Sequence, residues 1–261
     1  MARASVALIF ATVLSLSPLI SQSALVAPLV PGKFSGADGA NSHWVQARSE
    51  WRGPTFGNEA WGTGIWSISD AGLVSALAPA DAHVVNRFDG KVDQIHFAND
   101  SYNFNWGPTW GFSPLSPLWR NGETNQENWI AEFTGFIYIP GPGAYNFGIL
   151  FDDGFQFDLF GGNGQSLAIE KDGLNPRERI GFSENLDLAA GMYGYRLLAY
   201  NRLEAGVVDL SWIREGRDWQ VIPKDNLFTK IPPINVPEPS TLALLGIVLV
   251  GAGLVSRRKP H

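Results

Sequence analysis

Residues 128–154 read NWIAEFTGFIYIPGPGAYNFGILFDDG, and the alternation inside this stretch decides the fold class. In Ala144–Phe151, Tyr145, Phe147, Ile149 and Phe151 fall on one face of an extended chain. Phe133–Ile139 precedes it and stops at the turn cluster Pro140-Gly141-Pro142-Gly143. Phe155, Phe157 and Leu159 resume the same period after Asp153-Gly154, so the pair reads as a β-hairpin.

Working outward, Ser166–Glu170 is a short candidate strand, Tyr193–Tyr200 a firmer one, and Val207–Ile213 places Val208, Leu210 and Trp212 on one side. Sustained helical periodicity is missing throughout; Ile68–Leu77 offers at most a helical turn. Residues 33–128, rich in Trp, Gly and Asn, read as short strands and long loops. The composition agrees: Gly 29, Pro 17 and 12% aromatic residues over 261 suit short strands and tight turns. The expected class is all-β, an antiparallel β-sandwich spanning residues 33–229.

Both ends read as addresses. Met1–Ala24 has a basic residue, Arg3, an apolar run at Val6–Leu16 and small residues at Ser21, Ser23 and Ala24, the form of a secretory signal peptide; an uncleaved anchor is the alternative. Residues 230–240 are Pro-rich and should form an extended linker. Thr241–Val255 is apolar and is closed by Arg257, Arg258 and Lys259. Its fifteen residues cover about 22 Å as a helix, short of a ~30 Å hydrocarbon core, so residues 241–261 read as a marginal transmembrane tail with a basic stop. A buried core helix would show a polar face, and this run has none.

This tail resembles the PEP-CTERM sorting signal of Gram-negative bacteria, carried by Pro237-Glu238-Pro239, the adjacent span and the basic end. The resemblance implies export, a single-span membrane anchor before processing by exosortase, and an envelope or surface location in bacteria that make exopolysaccharide. Removing Arg3, Arg257, Arg258 and Lys259 from the 19 bases leaves 15 against 25 acids, about −10 for the mature chain. That charge argues against nucleic-acid binding, which needs a basic face. With no cysteine, disulfides and thiolate metal sites are excluded.

A second resemblance, clearest over residues 126–229, is to the protective-antigen-type (PA14-like) domain. It rests on Phe133-Thr134-Gly135-Phe136, Gly143-Ala144-Tyr145-Asn146-Phe147, Asp152-Asp153-Gly154, Gly191-Met192-Tyr193 and Leu210-Ser211-Trp212. Ile222-Pro223 followed by Leu227-Phe228 fits the closing strand. It implies a glycan-binding sandwich in which paired aspartates, joined by a cis peptide, hold Ca²⁺. The residues it assigns are Asp152 and Asp153, Asn201 from the facing loop, and a backbone carbonyl near Leu203. Sugar hydroxyls would complete the shell.

Strand geometry alone points neighbouring side chains to opposite faces, so Asp152 and Asp153 could not grip one ion in a regular strand. The competing reading of the same residues is turn chemistry, with Asp153-Gly154 as the hairpin bend. Trp106, Trp110 and Trp119 lie in Gly/Pro/Asn-rich sequence and are candidates for stacking on sugar rings, although large aromatics are more often core, as expected for Trp212. No Gly-x-Ser-x-Gly elbow, zinc helix or P-loop occurs. His43, His83 and His96 are scattered, and Glu132, Asp158, Asp187 and Glu204 could meet only through the fold. The expected role is a non-catalytic carbohydrate-binding or adhesion module. A structural matrix protein and a glycoside hydrolase are the alternatives.

Overall fold

The computed structural model describes residues 25–54, 62–99, 116–118, 126–214 and 216–233. The signal-peptide segment, Trp106, Trp110, Trp119, Pro237, Glu238, Pro239 and the apolar run 241–255 lie outside these residues. Among the described residues no helix is long and apolar enough to cross a membrane.

In chain order the elements are β1 (Val30–Pro31), β2 (Ala40–Ala47), α1 (Ile68–Ser75), β3 (Val84–Val92), β4 (His96–Ala98), β5 (Trp129–Ile139), β6 (Gly143–Asp152), β7 (Gly154–Phe160), β8 (Ser166–Lys171), β9 (Glu178–Gly181), β10 (Leu186–Leu188), β11 (Gly191–Asn201), β12 (Val207–Arg214), β13 (Gln220–Val221) and β14 (Leu227–Phe228). They form two antiparallel sheets. The larger runs β3-β2-β5-β11-β7-β8, with β1 beside β11 and β14 beside β5. The smaller runs β10-β6-β12-β13, with β4 beside β12 and β9 beside β6. The expected all-β sandwich is what forms.

The core lies between the sheets. Trp129, Ala131, Phe133, Ile137 and Ile139 of β5 and Phe155, Phe157 and Leu159 of β7 face Tyr145, Phe147, Ile149 and Phe151 of β6 and Val208, Leu210 and Trp212 of β12. This is the two-residue period of the sequence, spent on one inner face per sheet. Phe151 and Phe155 meet with centroids 4.7 Å apart, and Phe147 and Phe157 at 5.9 Å. Trp212 is core, as expected.

The hairpin reading of Ala144–Leu159 is overturned. β6 pairs with β12, whereas β7 pairs with β11, so Asp152-Asp153 carries the chain from one sheet to the other. A chain that crosses between facing sheets keeps the same alternation as a hairpin, because its apolar residues point inward from both sides. Periodicity therefore could not separate the two.

The first half is more regular than its composition suggests. β2 and β3 form a long antiparallel pair at the edge of the larger sheet. The helical turn expected over Ile68–Leu77 is α1, capped by Ser67, whose hydroxyl accepts the Asp70 N–H at 3.1 Å. α1 covers a second apolar cluster, Val45, Ile130, Leu198 and Tyr200, on the outer face of the larger sheet. At Gly135, φ is +149° and an added Cβ would lie 2.4 Å from the Phe228 carbonyl oxygen, so only glycine lets β14 close against β5 there.

Candidate functional site: the aspartate rim

Three segments meet at one end of the sandwich. β6 ends at Asp152, which lies opposite Val207 of β12, and β7 begins at Gly154, opposite Tyr200 of β11. The crossover between them is Asp153. The Asp152–Asp153 peptide is cis. Beside it run the β11–β12 loop, residues 202–206, and the loop of residues 172–177 after β8.

Backbone and side-chain bonds fix this junction. The Asp153 N–H donates to the Tyr200 carbonyl at 2.7 Å, and the Arg202 N–H donates to Oδ2 of Asp153 at 2.7 Å. Asn175 donates from Nδ2 to the Asp153 carbonyl at 3.2 Å. The Tyr200 hydroxyl lies 3.1 Å from Oδ1 of Asp172 and 2.8 Å from the Gly173 carbonyl, which ties the 172–177 loop to β11. An added Cβ at Gly154 would lie 2.5 Å from that hydroxyl, so the residue after the aspartates must stay small.

Asp152 and Asp153 line one cavity of about 350 Å³, together with Leu174, Asn175, Pro176, Arg177, Leu203, Glu204 and Ala205. Both carboxyls are held above the ordinary carboxylate range. Burial is the largest cause for each. For Asp152 the neighbouring Asp153 charge adds to it, and Glu204 raises both. The Arg177 charge and backbone N–H offset part of the effect at Asp152, and Arg202 does the same at Asp153. Carboxyls raised by burial and mutual repulsion gain from a nearby cation.

Asn201 closes β11 and is fully buried. Its Nδ2 donates to the Leu203 carbonyl at 2.8 Å, while its buried Oδ1 meets no hydrogen-bond donor among the described residues. Packing sets this side chain: an added Cβ at Gly206 would lie 2.7 Å from Asn201 Cγ and 2.7 Å from a Trp129 ring carbon. A buried amide oxygen lacking a donor is costly unless some other electropositive group meets it.

A hard divalent cation takes six to eight oxygens; the rim offers it the carboxyl oxygens of Asp152 and Asp153 on one cavity, which the buried Asn201 does not itself line. Asp152, Asp153 and the Asn201 amide oxygen are the residues that would hold it, and the Leu203 carbonyl keeps a second lone pair beyond its bond to Asn201. Asp153-Gly154 is not a hairpin bend, since these residues join two sheets, but both carboxylates bond backbone amides, Asp152 that of Arg177 and Asp153 that of Arg202.

Sequence reasoning missed the contribution of residues 172–177. Asn175 and Arg177 sit in a Gly/Asn/Pro loop with no periodicity, and a loop's approach to a distant rim leaves no local signal. Of the acids singled out for possible pairing, Glu132 on β5 and Asp158 on β7 both lie beside Arg196 on the outer face of the larger sheet, Glu132 bonded to its Nε at 2.6 Å and Asp158 directly across from it in register; Asp187 lies apart on β10, and Glu204 at the rim. Each candidate histidine has a carboxylate partner: His43 with Asp89 at 2.6 Å, His83 with Asp81 at 3.0 Å and His96 with Asp209 at 3.0 Å.

Among solved structures, the chain is similar to a PA14 domain of the MpAFP antifreeze protein, with 14% identity and a TM-score of 0.47 over 76% of this chain and 96% of that one. It is also similar to a PA14 sugar-binding domain from an RTX adhesin, with 13% identity and a TM-score of 0.44 over 73% and 98%. A third likeness is to an anti-sigma factor domain-containing protein, at 18% identity and a TM-score of 0.41; it involves 57% of this chain, which spans 44% of that protein's length. No curated relative matches the chain in sequence. The family model that does match describes the other end of the molecule: residues 235–259 match the PEP-CTERM protein-sorting motif, and the chain carries that sorting signal.

Proposed function

We propose that the chain is an exported, non-catalytic binding module whose aspartate rim holds Ca²⁺ and, beside it, the hydroxyls of a glycan. The observation that carries this reading is the opening of Asp152 and Asp153 on one cavity that Leu203, Glu204 and Ala205 of the β11–β12 loop also line; Asn201, whose buried Oδ1 meets no hydrogen-bond donor among the described residues, stands at the base of that loop. The cation would neutralise the two carboxylates, and the 350 Å³ opening leaves room for ligand oxygens beside it. Sugar binding, the property named for the RTX adhesin domain, comes to this chain only as part of this proposal. The rim carries it, not that likeness.

The route of the chain supports display. Pro232 and Pro233 line one cavity with Pro31 and Phe34, and Phe34 packs edge-on to Tyr138 near the Ile139 end of β5. The rim lies at the Trp129 end, where Asn201 pairs with Trp129. Eleven residues of strand separate the two ends by about 33 Å. A chain held in the cytoplasmic membrane through its sorting tail would turn the rim outward. Exosortase processing would then leave the module at the envelope or cell surface of a Gram-negative bacterium. There the cell's own exopolysaccharide is one candidate ligand.

The test is a glycan array probed with the full chain, solubilised in a polyoxyethylene detergent without a sugar headgroup, in calcium and in EDTA. Binding to a subset of glycans in calcium, abolished by EDTA and by Asp152→Asn/Asp153→Asn, is expected. A folded chain that binds no glycan in calcium would overturn the proposal.

A further inference from the structure

Among the described residues, the outer face of the larger sheet is covered at both ends and open in the middle. α1 lies over the rim end. At the other end Tyr138, Met192 and Phe228 pack with Val30, Phe34 and Phe136. Between these covers a trough crosses the strands. Two cavities of about 510 and 440 Å³ share Asn41 and Thr134, so they adjoin there.

The pairing register gives its floor. One row across the sheet is Lys91, Asn41, Thr134, Arg196, Asp158 and Ala168; the next is Phe136, Gly194, Phe160 and Ser166. One bank is the end of α1, where the Ser75 carbonyl meets His43 Nε2 at 3.1 Å and the Ser75 hydroxyl donates to Glu132 at 2.8 Å. The other bank is Leu29 and Thr229. Phe160 and Leu29 are 37% and 41% exposed. Over Gly194, between Phe136 and Phe160, the Leu29 side chain reaches in, its Cδ1 3.2 Å from where a Cβ would stand, so Phe160 is the exposed ring of the trough.

The charges decide the occupant. Arg87 pairs with Asp89 at 2.7 Å, Lys91 with Asp38 at 2.5 Å and Arg196 with Glu132 at 2.6 Å. Bases and acids along the trough thus cancel in place, and the additional acid is Asp158, so neither a polyanion nor a polycation finds a complementary field. A peptide strand has no edge to add to, because the trough runs across strands whose backbone groups are already paired. What remains is a polymer that meets both donors and acceptors through hydroxyls and offers an apolar face to the exposed Phe160 ring.

We infer that this trough is a second binding site, for a neutral polysaccharide chain lying across the larger sheet, independent of the aspartate rim and of calcium. The site uses a different face and different residues, so it stands or falls separately from the rim.

The experiment is affinity electrophoresis of the full chain in native gels containing dextran, hydroxyethylcellulose or galactomannan, in a polyoxyethylene detergent with EDTA. At least one of these polymers should slow the chain. Thr134→Trp fills the point where the two cavities meet, at an exposed strand position that tolerates an aromatic. Phe160→Ala removes the exposed ring. Each should weaken the retardation about tenfold, the loss expected for one buried aromatic face. Asp152→Asn/Asp153→Asn should leave it intact. Failure of all three polymers to slow the wild type in EDTA would overturn the proposal. So would retardation that survives both trough variants in folded protein, or retardation that appears only with calcium. Should Phe160→Ala fail to fold, Thr134→Trp decides alone.

Discussion

The backbone N–H of Arg202 donates to Oδ2 of Asp153 at 2.7 Å, so one of the two rim carboxylates also bolts the β11–β12 loop to the crossover between the sheets. This double duty separates two substitutions. Asp153→Asn keeps an acceptor for that N–H and removes the charge; Asp153→Ala leaves a half-buried donor unmet. Thermal melts in EDTA should show Asp153→Ala destabilised by about 1–3 kcal/mol. Asp153→Asn should be no less stable than wild type at pH 8, because it also removes the repulsion with Asp152. Equal melting temperatures for the two variants would count against the bond.

The raised carboxyls dictate a pH dependence. Burial, reinforced by like charge, takes Asp152 to about 8 and Asp153 to about 7, from 3.8 for an ordinary carboxyl. The folded chain therefore holds these protons more tightly than the unfolded chain. Their contribution to stability is complete below pH 4 and is lost as pH rises through 7 and 8. In EDTA, the melting temperature should fall between pH 5 and pH 8.5 through these groups. Calcium competes with the protons, so the calcium-induced rise in melting temperature should be small at pH 5 and larger at pH 8. Differential scanning fluorimetry across that range measures both slopes, and a calcium effect that shrinks as pH rises would be inconsistent with carboxylate ligation.

How much of this was legible in the sequence follows from which signals are local. The two-residue period of Tyr145–Phe151 and Phe155–Leu159 gave the buried faces residue by residue, because each strand's inward side is set by its own alternation. The partner of each strand is not local. Asp152-Asp153 looked like a hairpin bend and is instead a sheet-to-sheet crossover, since both topologies bury the same alternate residues. Asn201 carries no local pattern of its own, and the burial of its amide comes from packing by Trp129 and Gly206. Asn175 and Arg177 carried no pattern at all. β2 and β3 were obscured by the surrounding Gly- and Trp-rich loops.

Gly206 offers a way to disturb the rim without touching an acid. A Cβ there would lie 2.7 Å from both Asn201 Cγ and Trp129, and both side chains are buried. Gly206→Ala should cost about 1–3 kcal/mol by overpacking. It should also weaken calcium binding by displacing the Asn201 amide, as read by calorimetry at pH 8. Unchanged calcium affinity in this variant would remove Asn201 from the ligand set.

The crossover itself should depend on the aromatic pair beneath it. Phe155 is fully buried and meets Phe151 at 4.7 Å across the two sheets. Phe155→Ala should cost about 3–5 kcal/mol in urea unfolding. A loss below about 1 kcal/mol would mean that the sheets do not close tightly at this end.

Isothermal titration of calcium into the full chain at pH 8, in detergent and after removal of divalent ions, addresses the rim most directly. Saturable binding that disappears in folded Asp152→Asn/Asp153→Asn is expected. A wild-type chain that is folded yet gives neither heat nor any gain in melting temperature with calcium would contradict a cation site at Asp152, Asp153 and Asn201.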